Sequence, residues 1–248
     1  MAHPDVVVWE ADGRPLPRLG YGARLAAPLR GLGARVVVVP YRRRALTAAE
    51  LSAPVHVLSG GETTSFAGDP ATRRTLADVT GLLRRAWRGD ATVIGVCLGA
   101  QLIARAIAPA LPRSFPTSGM EVGLCPVDGP GGPIAVGQLH YEQIDPAFAE
   151  VDGVRLTHTN DHTRVQGFTW GPSVAGYQFH PEWDPGDVAA VLDRHAALLD
   201  LRHAEPSTAL GSVHLEQGSW SGRTVTELLV APVARALAPD RAHEPGAA

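Results

Sequence analysis

One of the two cysteines in the sequence stands where nucleophilic chemistry is possible. Cys97 lies in the segment Gly-Val-Cys-Leu-Gly-Ala-Gln, between Gly95 and Gly99. A thiolate is a strong nucleophile, and the N-terminus of a helix lowers the pKa of a thiol because the helix dipole stabilises negative charge. A strand ending at Cys97 and a helix starting after it would expose the sulfur on a sharp turn. The alternative is a buried thiol that only packs, since cysteine is among the most buried residue types.

A histidine and a carboxylate two positions apart supply the partners that such a nucleophile requires. The segment Tyr-Gln-Phe-His-Pro-Glu places His180 at the end of a predicted strand and Glu182 two residues later. In an extended chain these two side chains point the same way, so the carboxylate can orient the imidazole. The imidazole would take the thiol proton and later deliver it to a leaving amine. We therefore predict a triad of Cys97, His180 and Glu182, although a His-x-Glu pair alone is common on protein surfaces.

Two glycines after another predicted strand indicate how an oxyanion would be stabilised. Gly60 and Gly61 follow the segment Leu-Ser. A glycine leaves its backbone N–H free to face a developing negative charge, and the N–H of Leu98, next to the nucleophile, is the natural second donor. We expect Gly61 and Leu98 to form an oxyanion hole. Paired glycines are otherwise ordinary turn residues.

Alternating strand and helix patterns must position these residues. Four β-branched runs predict buried strands, at residues 5–10, 35–40, 55–59 and 91–96. Apolar residues at helical spacing predict helices at 22–32, 70–87 and 98–111. This alternation predicts a parallel sheet with helices on both faces. Ligand sites of such sheets lie beyond the carboxyl ends of the strands, and Cys97 is at one of those ends.

In the second half of the chain the strand patterns are short and interrupted by turns, which predicts added antiparallel strands. Short strand patterns, separated by Gly and Pro turns, occur at residues 120–124, 134–139, 154–159 and 174–179. A helix is predicted at 187–201, and a last helix at 224–237, interrupted at Pro232. We expect one domain over residues 1–204 and a C-terminal extension over 205–248, with a polar linker, a packed helix and a loose tail after residue 238.

The composition excludes several classes of function. The chain has 248 residues and a formal net charge of −3, so its charge gives no reason to expect nucleic acid or a membrane surface as a partner. All 22 basic residues are arginines, which excludes Schiff-base catalysis and a phosphate loop that needs lysine. The sequence shows no secretory leader and no apolar run of membrane-spanning length, so we expect a cytoplasmic protein with free thiols.

Histidines elsewhere in the chain raise the question of a metal site. His140, His158 and His162 are the candidates, but their spacing matches no compact ligand pattern. We expect no metal ion and no cofactor. His158 is expected to have a structural role, and Cys125, which precedes a proline, is expected to pack in the interior.

Taken together, the three motifs resemble those of the class I, triad-type glutamine amidotransferase domain. The segment around Cys97 matches that family's Gly-x-Cys-x-Gly-x-Gln motif, and the segment around His180 matches Gln-Phe-His-Pro-Glu. Leu-Ser-Gly-Gly at residues 58–61 matches its oxyanion strand, and Gly-Met-Glu-Val-Gly-Leu at 119–124 resembles the strand after the nucleophile helix. The similarity extends over residues 6–201.

The resemblance implies a flavodoxin-like α/β fold, a three-layer sandwich with a mostly parallel central sheet and added antiparallel strands. It also implies hydrolysis of L-glutamine to glutamate and ammonia through a cysteinyl thioester. Cys97 would attack the side-chain amide, and the N–H groups of Gly61 and Leu98 would hold the oxyanion. His180, oriented by Glu182, would protonate the departing ammonia.

Three further residues are implied to bind the substrate. Gln101 is the motif glutamine that helps hold the substrate in the family, and its alternative role is to pack or cap the helix start. Gly60 and Glu62 belong to a Gly-Gly-Glu-Thr segment, whereas many relatives have proline after the glycines. This segment resembles the Gly-Gly-Glu-Ser loop of the glutaminase subunit of pyridoxal-phosphate synthase. Glu62 would then bind the α-amino group of glutamine, or it is simply solvated.

The fate of the ammonia defines the alternatives for function. With no synthetase expected in the chain, the leading hypothesis is a glutaminase subunit that passes ammonia to a separate synthase partner. A free-standing γ-glutamyl hydrolase acting on γ-glutamyl amines or peptides is the enzymatic alternative. A catalytically silent regulatory or binding relative is the other, and the intact triad argues against it.

Overall fold

The computed structural model describes residues 3–11, 21–116, 119–202 and 224–238, and for 194–202 it describes the backbone alone. The strands are β1 (Val6–Glu10), β2 (Val36–Pro40), β3 (Val55–Leu58), β4 (Thr92–Val96), β5 (Glu121–Gly129), β6 (Gly132–His140), β7 (Val154–His158), β8 (Gly167–Trp170) and β9 (Val174–Tyr177). The helices are α1 (Tyr21–Arg30), α2 (Ala48–Leu51), α3 (Pro70–Trp87), α4 (Leu98–Ile107), α5 (Pro185–Arg202) and α6 (Ala231–Leu237). A 3-10 turn occupies Pro146–Glu150, and a π-helical segment occupies Val225–Val230.

Seven of these strands form one sheet in the order β2-β1-β3-β4-β9-β8-β7. Strands β1 to β4 and β9 pair in parallel, while β8 and β7 are added antiparallel at one edge. Strands β3, β4 and β9 are direct neighbours, so their carboxyl ends lie side by side. Those ends carry the paired glycines, Cys97 and His180. The sheet order therefore brings the three sequence motifs to one place.

Both faces of the sheet are buried, because successive strand residues point to opposite sides. On one face the strands pack against α3 and α4 through residues such as Val93 and Leu82. On the other face they pack against α1 and α6 through residues such as Leu25 and Val233. This arrangement confirms the predicted three-layer α/β sandwich with a mostly parallel sheet.

The helix boundaries follow local signals that can be read in the sequence. Helix α3 begins where the Asp69 side chain accepts a hydrogen bond from the Thr72 N–H at 3.0 Å, with Pro70 in the first turn. An aspartate cap and a first-turn proline are both typical of helix starts. The predicted bounds of this helix, 70–87, agree with the structure, whereas the helix predicted over 98–111 ends earlier, at Ile107.

Strands β5 and β6 form a separate antiparallel hairpin outside the main sheet. The strands predicted at 120–124 and 134–139 are shorter than the observed ones, and β8 is absent from the sequence prediction. The hairpin contacts the loop after β9, where the His180 N–H donates to the Gly137 carbonyl at 2.9 Å. It therefore forms one wall of the region where the motifs meet.

The C-terminal helix packs onto the sheet beside α1. Leu229 and Val233 are fully buried in the same cluster as Leu25 and Val57. Pro232 lies where the π-helical segment Val225–Val230 changes into α6, so the hydrogen-bond pattern of the helix changes at the predicted interruption. The predicted linker at 205–223 and the tail at 239–248 lie outside the described residues. Among the described helices, none has the length and apolar character needed to cross a membrane.

Candidate active site

The backbone at Cys97 has an unusual conformation. Its φ is 50° and its ψ is −112°, and within the described part of the chain it is the one non-glycine residue with positive φ. The Cys97 N–H donates to the Tyr177 carbonyl of β9 at 2.7 Å, and its carbonyl accepts from the Gln101 N–H at 3.1 Å. Such strain costs on the order of 1–3 kcal/mol and is typical of functional sites. The turn places the sulfur between the sheet and the start of α4.

Two glycines make this turn sterically possible. A Cβ on Gly99 would lie 2.3 Å from the Leu58 carbonyl oxygen, and one on Gly95 would lie 2.6 Å from the Ala100 nitrogen. Neither position can therefore hold a side chain without moving backbone atoms. The glycines on both sides of the cysteine let β3, β4 and α4 approach closely, as the sequence motif predicts.

The structure places Cys97 beside the pair that His180 forms with Glu182. His180 Nδ1 lies 2.8 Å from Glu182 Oε1, and the Cys97 side chain is close enough to the imidazole to help raise its pKa. All three residues are buried. The Cys97 Sγ has two further polar neighbours, the Leu139 carbonyl at 3.8 Å and the Gln178 Nε2 at 3.9 Å. This geometry suits proton transfer between the sulfur and an imidazole fixed by a carboxylate.

The surroundings of His180 favour its charged form. Burial opposes the positive charge, but the charge of Glu182 and the hydrogen bonds with Cys97 and Glu182 outweigh burial and raise the pKa of His180 to about 9. At neutral pH the imidazole therefore carries its proton beside the sulfur. An imidazolium in this position can protonate a leaving amine.

The two glycines after β3 lie against these groups. A Cβ on Gly60 would lie 2.6 Å from His180 Cε1 and 3.4 Å from the Cys97 Cβ, so Gly60 is packed between the two side chains. Gly61 and Leu98 line the cavity that also exposes Cys97. Both predicted oxyanion-hole residues thus line the same cavity as Cys97.

A cavity of about 490 Å³ opens beside Cys97. Its lining residues are Tyr21, Gly61, Glu62, Thr63, Thr64, Cys97, Leu98, Gln101, Arg113, Met120, Leu139, His140, Tyr141 and Glu142. Gln101 Nε2 donates to the Glu142 carbonyl at 2.9 Å and to Gln178 Oε1 at 3.3 Å, so its amide is fixed in the wall. Glu62 and Gln101, two of the predicted substrate-binding residues, therefore line the cavity, whereas Gly60 is not among its lining residues.

Sequence reasoning missed the charged rim of this cavity. Glu142 forms an ion pair with Arg113 and accepts a hydrogen bond from the Thr64 hydroxyl at 2.7 Å. These residues come from three separate loops, and no motif marks any of them. The rim presents both a guanidinium and a carboxylate, which are the groups that recognise the two charges of an α-amino acid.

A buried polar network also adjoins the cavity. Glu121 accepts hydrogen bonds from Asn160 Nδ2 at 2.7 Å, from Gln166 Nε2 at 3.0 Å and from the Thr163 hydroxyl at 2.5 Å. His140 Nε2 lies 3.0 Å from the same carboxylate. Burial opposes the charge of Glu121, but these bonds and the His140 charge outweigh burial and lower its pKa to about 2. The carboxylate stays ionised inside the protein and fixes the hairpin beside the site.

The remaining histidines and the second cysteine lie elsewhere. His158 lines a different cavity, beside Tyr177 and Glu227, and burial lowers its pKa to about 4. Burial and then the charge of Glu121 raise the pKa of Cys125 to about 12, so that thiol stays protonated. No group of three or more metal-binding side chains occurs among the residues described.

Comparisons with known proteins agree with the motifs and the fold. Residues 19–195 match the family model described as glutamine amidotransferase class-I. The chain is similar to the structure of a glutamine amidotransferase from Thermotoga maritima, with 17% sequence identity, a TM-score of 0.71, and coverage of 96% of this chain and 100% of that one. A glutamine amido transferase from Methylobacillus flagellatus is 16% identical over 100% of both chains, with a TM-score of 0.70.

A more distant likeness is to a protein from Thermoplasma acidophilum that is described as a putative GMP synthase subunit. It is 21% identical, with a TM-score of 0.56, over 82% of this chain and 99% of that one. No curated protein sequence matches the chain significantly. At these identities the solved structures support the fold, whereas the family model matches the sequence itself, from before α1 into α5. The chain belongs to the class I glutamine amidotransferase family.

Proposed function

We propose that this protein hydrolyses L-glutamine to glutamate and ammonia through a thioester on Cys97. One observation carries the proposal: Cys97, which lines a cavity of about 490 Å³, lies beside the hydrogen-bonded pair of His180 and Glu182. The cysteine sulfur supplies the nucleophile and the imidazolium supplies the acid, and the carboxylate fixes the orientation of the imidazole.

The first half of the reaction forms the thioester. The Cys97 thiolate attacks the side-chain carbonyl carbon of glutamine and forms a C–S bond, and the carbonyl electron pair moves to oxygen. The N–H groups of Gly61 and Leu98 donate to this oxyanion. When the tetrahedral intermediate collapses, the C–N bond breaks, and His180 gives its proton to the leaving nitrogen so that neutral ammonia departs.

The second half releases glutamate. The neutral His180 takes a proton from water, and the resulting hydroxide attacks the thioester carbon. Collapse of this intermediate breaks the C–S bond and returns the thiolate beside the imidazolium. Glu182 stabilises the imidazolium in both halves, because its oxygen lies 2.8 Å from Nδ1. The cycle uses one glutamine and one water and needs no metal ion or cofactor.

The α-amino and α-carboxylate groups of glutamine have candidate partners in the cavity. We assign Glu62 to the α-amino group, since it lines the cavity next to the oxyanion glycine. Gln101 shapes the wall, with its amide held by the Glu142 carbonyl. Gly60 contributes by leaving space for His180 rather than by touching substrate. The Arg113 guanidinium lines the same cavity and is a suitable partner for the α-carboxylate.

The ammonia would be passed to a separate synthase. Support for a partner comes from the structural relative that is described as a putative GMP synthase subunit, since a subunit works with a further chain. We assign residues 1–204 to the glutaminase domain and 205–248 to an extension that the synthase contacts or that covers the sheet. A catalytic cysteine that must stay reduced favours a reducing compartment, so we propose the cytoplasm.

A second function is favoured by the size of the cavity. A cavity of about 490 Å³ is within the range that binds drug-sized ligands. It therefore has room for γ-glutamyl amines or short γ-glutamyl peptides, on which the same triad would act as a hydrolase. The two functions share every step at the carbonyl carbon and differ only in the leaving amine.

The deciding experiment measures ammonia or amine release by the purified protein. L-glutamine and a panel of γ-glutamyl amines are tested with the protein alone and with candidate synthases added. Release from glutamine that a synthase stimulates supports the amidotransferase, and release confined to conjugates supports the hydrolase. Cys97→Ala must abolish release, and Cys125→Ala, a matched change at the unreactive thiol, must not. Absence of release from every substrate would leave only a regulatory or binding role.

A further inference from the structure

The indole of Trp183 lies flat against the imidazole of His180. The ring centroids are 3.7 Å apart and the rings are 4° from parallel. Both side chains are fully buried, with 1% of Trp183 and 2% of His180 exposed. Trp183 also stacks with Tyr21 of α1, at 6.3 Å between centroids. The catalytic histidine proposed above is therefore covered on one face by an aromatic plane.

The position of the indole is fixed by groups other than His180. A Cβ on Gly137 of β6 would lie 3.0 Å from Trp183 Cε3, so the indole packs closely against the hairpin at this glycine. Val188 and Val191 of α5 pack in the same cluster as Trp183. Because the hairpin and α5 hold the indole, it can act as a rigid surface for the imidazole.

We infer that Trp183 is a positioning residue for His180, which holds the imidazole plane in line with Cys97 and Glu182 and stabilises the imidazolium. The inference rests on the proposed function, in which His180 transfers the proton. The Glu182 hydrogen bond at Nδ1 and the close approach of Gly60 to Cε1 both act at the edge of the ring. Neither supports the ring face, so without the indole the imidazole could rotate out of plane. A flat surface against the ring face removes this freedom. A cation over a tryptophan face is also attracted by the π electrons of the ring.

The effect of Trp183 on His180 can be distinguished experimentally from the effects of the other groups that face the imidazole. Glu182 from the same loop and Cys97 from the β4–α4 turn favour the imidazolium through charge and hydrogen bonding. Tyr21 from α1 approaches at 5.8 Å between ring centroids. Trp183 differs from these because its effect depends on the electron density of its face. That density can be reduced with fluorine while the shape of the ring stays almost unchanged.

The decisive test replaces tryptophan by fluorinated tryptophans and measures alkylation of Cys97 by iodoacetamide. The background is Cys125→Ala, so that one thiol reports. We expect successive fluorines to slow alkylation below pH 9 by about two- to fivefold in total, since a less stabilised imidazolium gives less support to the reacting sulfur. Well above pH 9 the rate should not change, because His180 is then neutral. The matched control is the Trp183→Phe variant labelled with the same fluorinated tryptophans. It keeps four of the five tryptophans of the chain, and fluorine at those four should not change the alkylation rate.

Two substitutions test the positioning role in turnover. Trp183→Phe keeps an aromatic face and should keep kcat within about threefold, with an alkylation rate at acidic pH only moderately reduced. Trp183→Leu removes the face and should lower kcat by about tenfold or more while KM changes less than about twofold. If the leucine variant does not fold, the fluorinated series still decides.

Outcomes for this inference and for the proposed function are distinct. Alkylation that is insensitive to fluorine, or equal kcat values for the phenylalanine and leucine variants, would overturn the positioning role. Alkylation uses no glutamine, so a fluorine-sensitive protein that releases no ammonia would refute the proposed function while supporting the contact between Trp183 and the charged His180.

Discussion

Gly60 lies so close to His180 that a methyl group on its Cα would come within 2.6 Å of the imidazole Cε1 and 3.4 Å of the Cys97 Cβ. The loop after β3 thus restricts the position of the His180 imidazole. This contact explains why a glycine is needed at position 60 independently of any oxyanion role. It also separates the two glycines, since Gly61 lines the cavity and Gly60 supports the histidine.

Substitution of Gly60 should therefore impair turnover through the position of His180. We expect Gly60→Ala to lower kcat by roughly a hundredfold, because displacement of a catalytic group by about 1 Å has an effect of that order. The free energy of unfolding should fall by about 1–3 kcal/mol from overpacking. Gly68→Ala is the control, since a Cβ there meets nothing within 4 Å. Steady-state kinetics that show equal activity for both variants would refute the contact.

The pH dependence of turnover should report the pKa of His180. The pKa of this histidine is raised from 6.5 to about 9 in the folded protein, so the imidazolium that protonates ammonia is lost as the pH rises through about 9. Activity should decline over that range. Glu182→Gln removes the counter-charge while burial still opposes the imidazolium, so the decline should move to lower pH. A pH profile of kcat for both proteins measures this, and unchanged profiles would contradict the assignment of His180.

The raised pKa of His180 also predicts how the free energy of unfolding changes with pH. A group whose pKa is raised on folding stabilises the protein fully below its unfolded value and loses that effect as the pH rises through its folded value. The contribution of His180 should be complete below about pH 6.5 and lost by about pH 9. Urea unfolding of the parent and of His180→Gln should therefore show a larger decrease for the parent over this window. Parallel curves would show that His180 is not protonated in the native state.

The buried carboxylate of Glu121 should contribute strongly to stability. Its pKa is lowered from 4.5 to about 2, so its contribution is present above about pH 4.5 and lost as the pH falls through about 2. Glu121→Gln should lower the free energy of unfolding by on the order of 3 kcal/mol at neutral pH, because it breaks a buried network. Glu150→Gln, which breaks an exposed ion pair with Arg164, should lower the free energy of unfolding by less than about 1 kcal/mol. Equal costs in urea unfolding would contradict the network.

The positive φ of Cys97 predicts an unusual order of stability among variants. Glycine adopts this conformation without strain, whereas alanine keeps the strain. We expect Cys97→Gly to be about 1 kcal/mol more stable than Cys97→Ala, although both are inactive. At Cys125, whose φ is not positive, the order should be reversed. Thermal or urea unfolding of the four variants provides the measurement, and a less stable glycine variant at both positions would refute the strained turn.

Much of the fold could be predicted because its signals are local. The β-branched runs, the Asp69 cap of α3 and the glycines around Cys97 each act within a few residues, and the parallel sheet follows from their alternation. The second half was less predictable. Strand β8 spans only Gly167–Trp170, and its place is set by pairing with β7 and β9 rather than by its own pattern. The β5–β6 hairpin likewise leaves the main sheet for reasons of tertiary packing.

The same distinction applies to the site. The convergence of Cys97, His180 and the paired glycines at neighbouring strand ends could be predicted because each belongs to a compact motif at a strand end. Thr64, Arg113 and Glu142 were not predicted, since they meet only where separate loops converge on the cavity. The stack of Trp183 on His180 was also missed, although the tryptophan directly follows Glu182 in the sequence. Its orientation depends on Gly137, which lies far away along the chain.

The central claim is that the Cys97 sulfur attacks the side-chain carbonyl of a γ-glutamyl group. The most direct test is mass spectrometry of the protein after reaction with 6-diazo-5-oxo-L-norleucine, a glutamine-like electrophile. We expect one adduct per chain, located on the peptide that contains Cys97, prevented by excess glutamine and absent from Cys97→Ala. An unlabelled protein, or an adduct on Cys125 alone, would contradict the account.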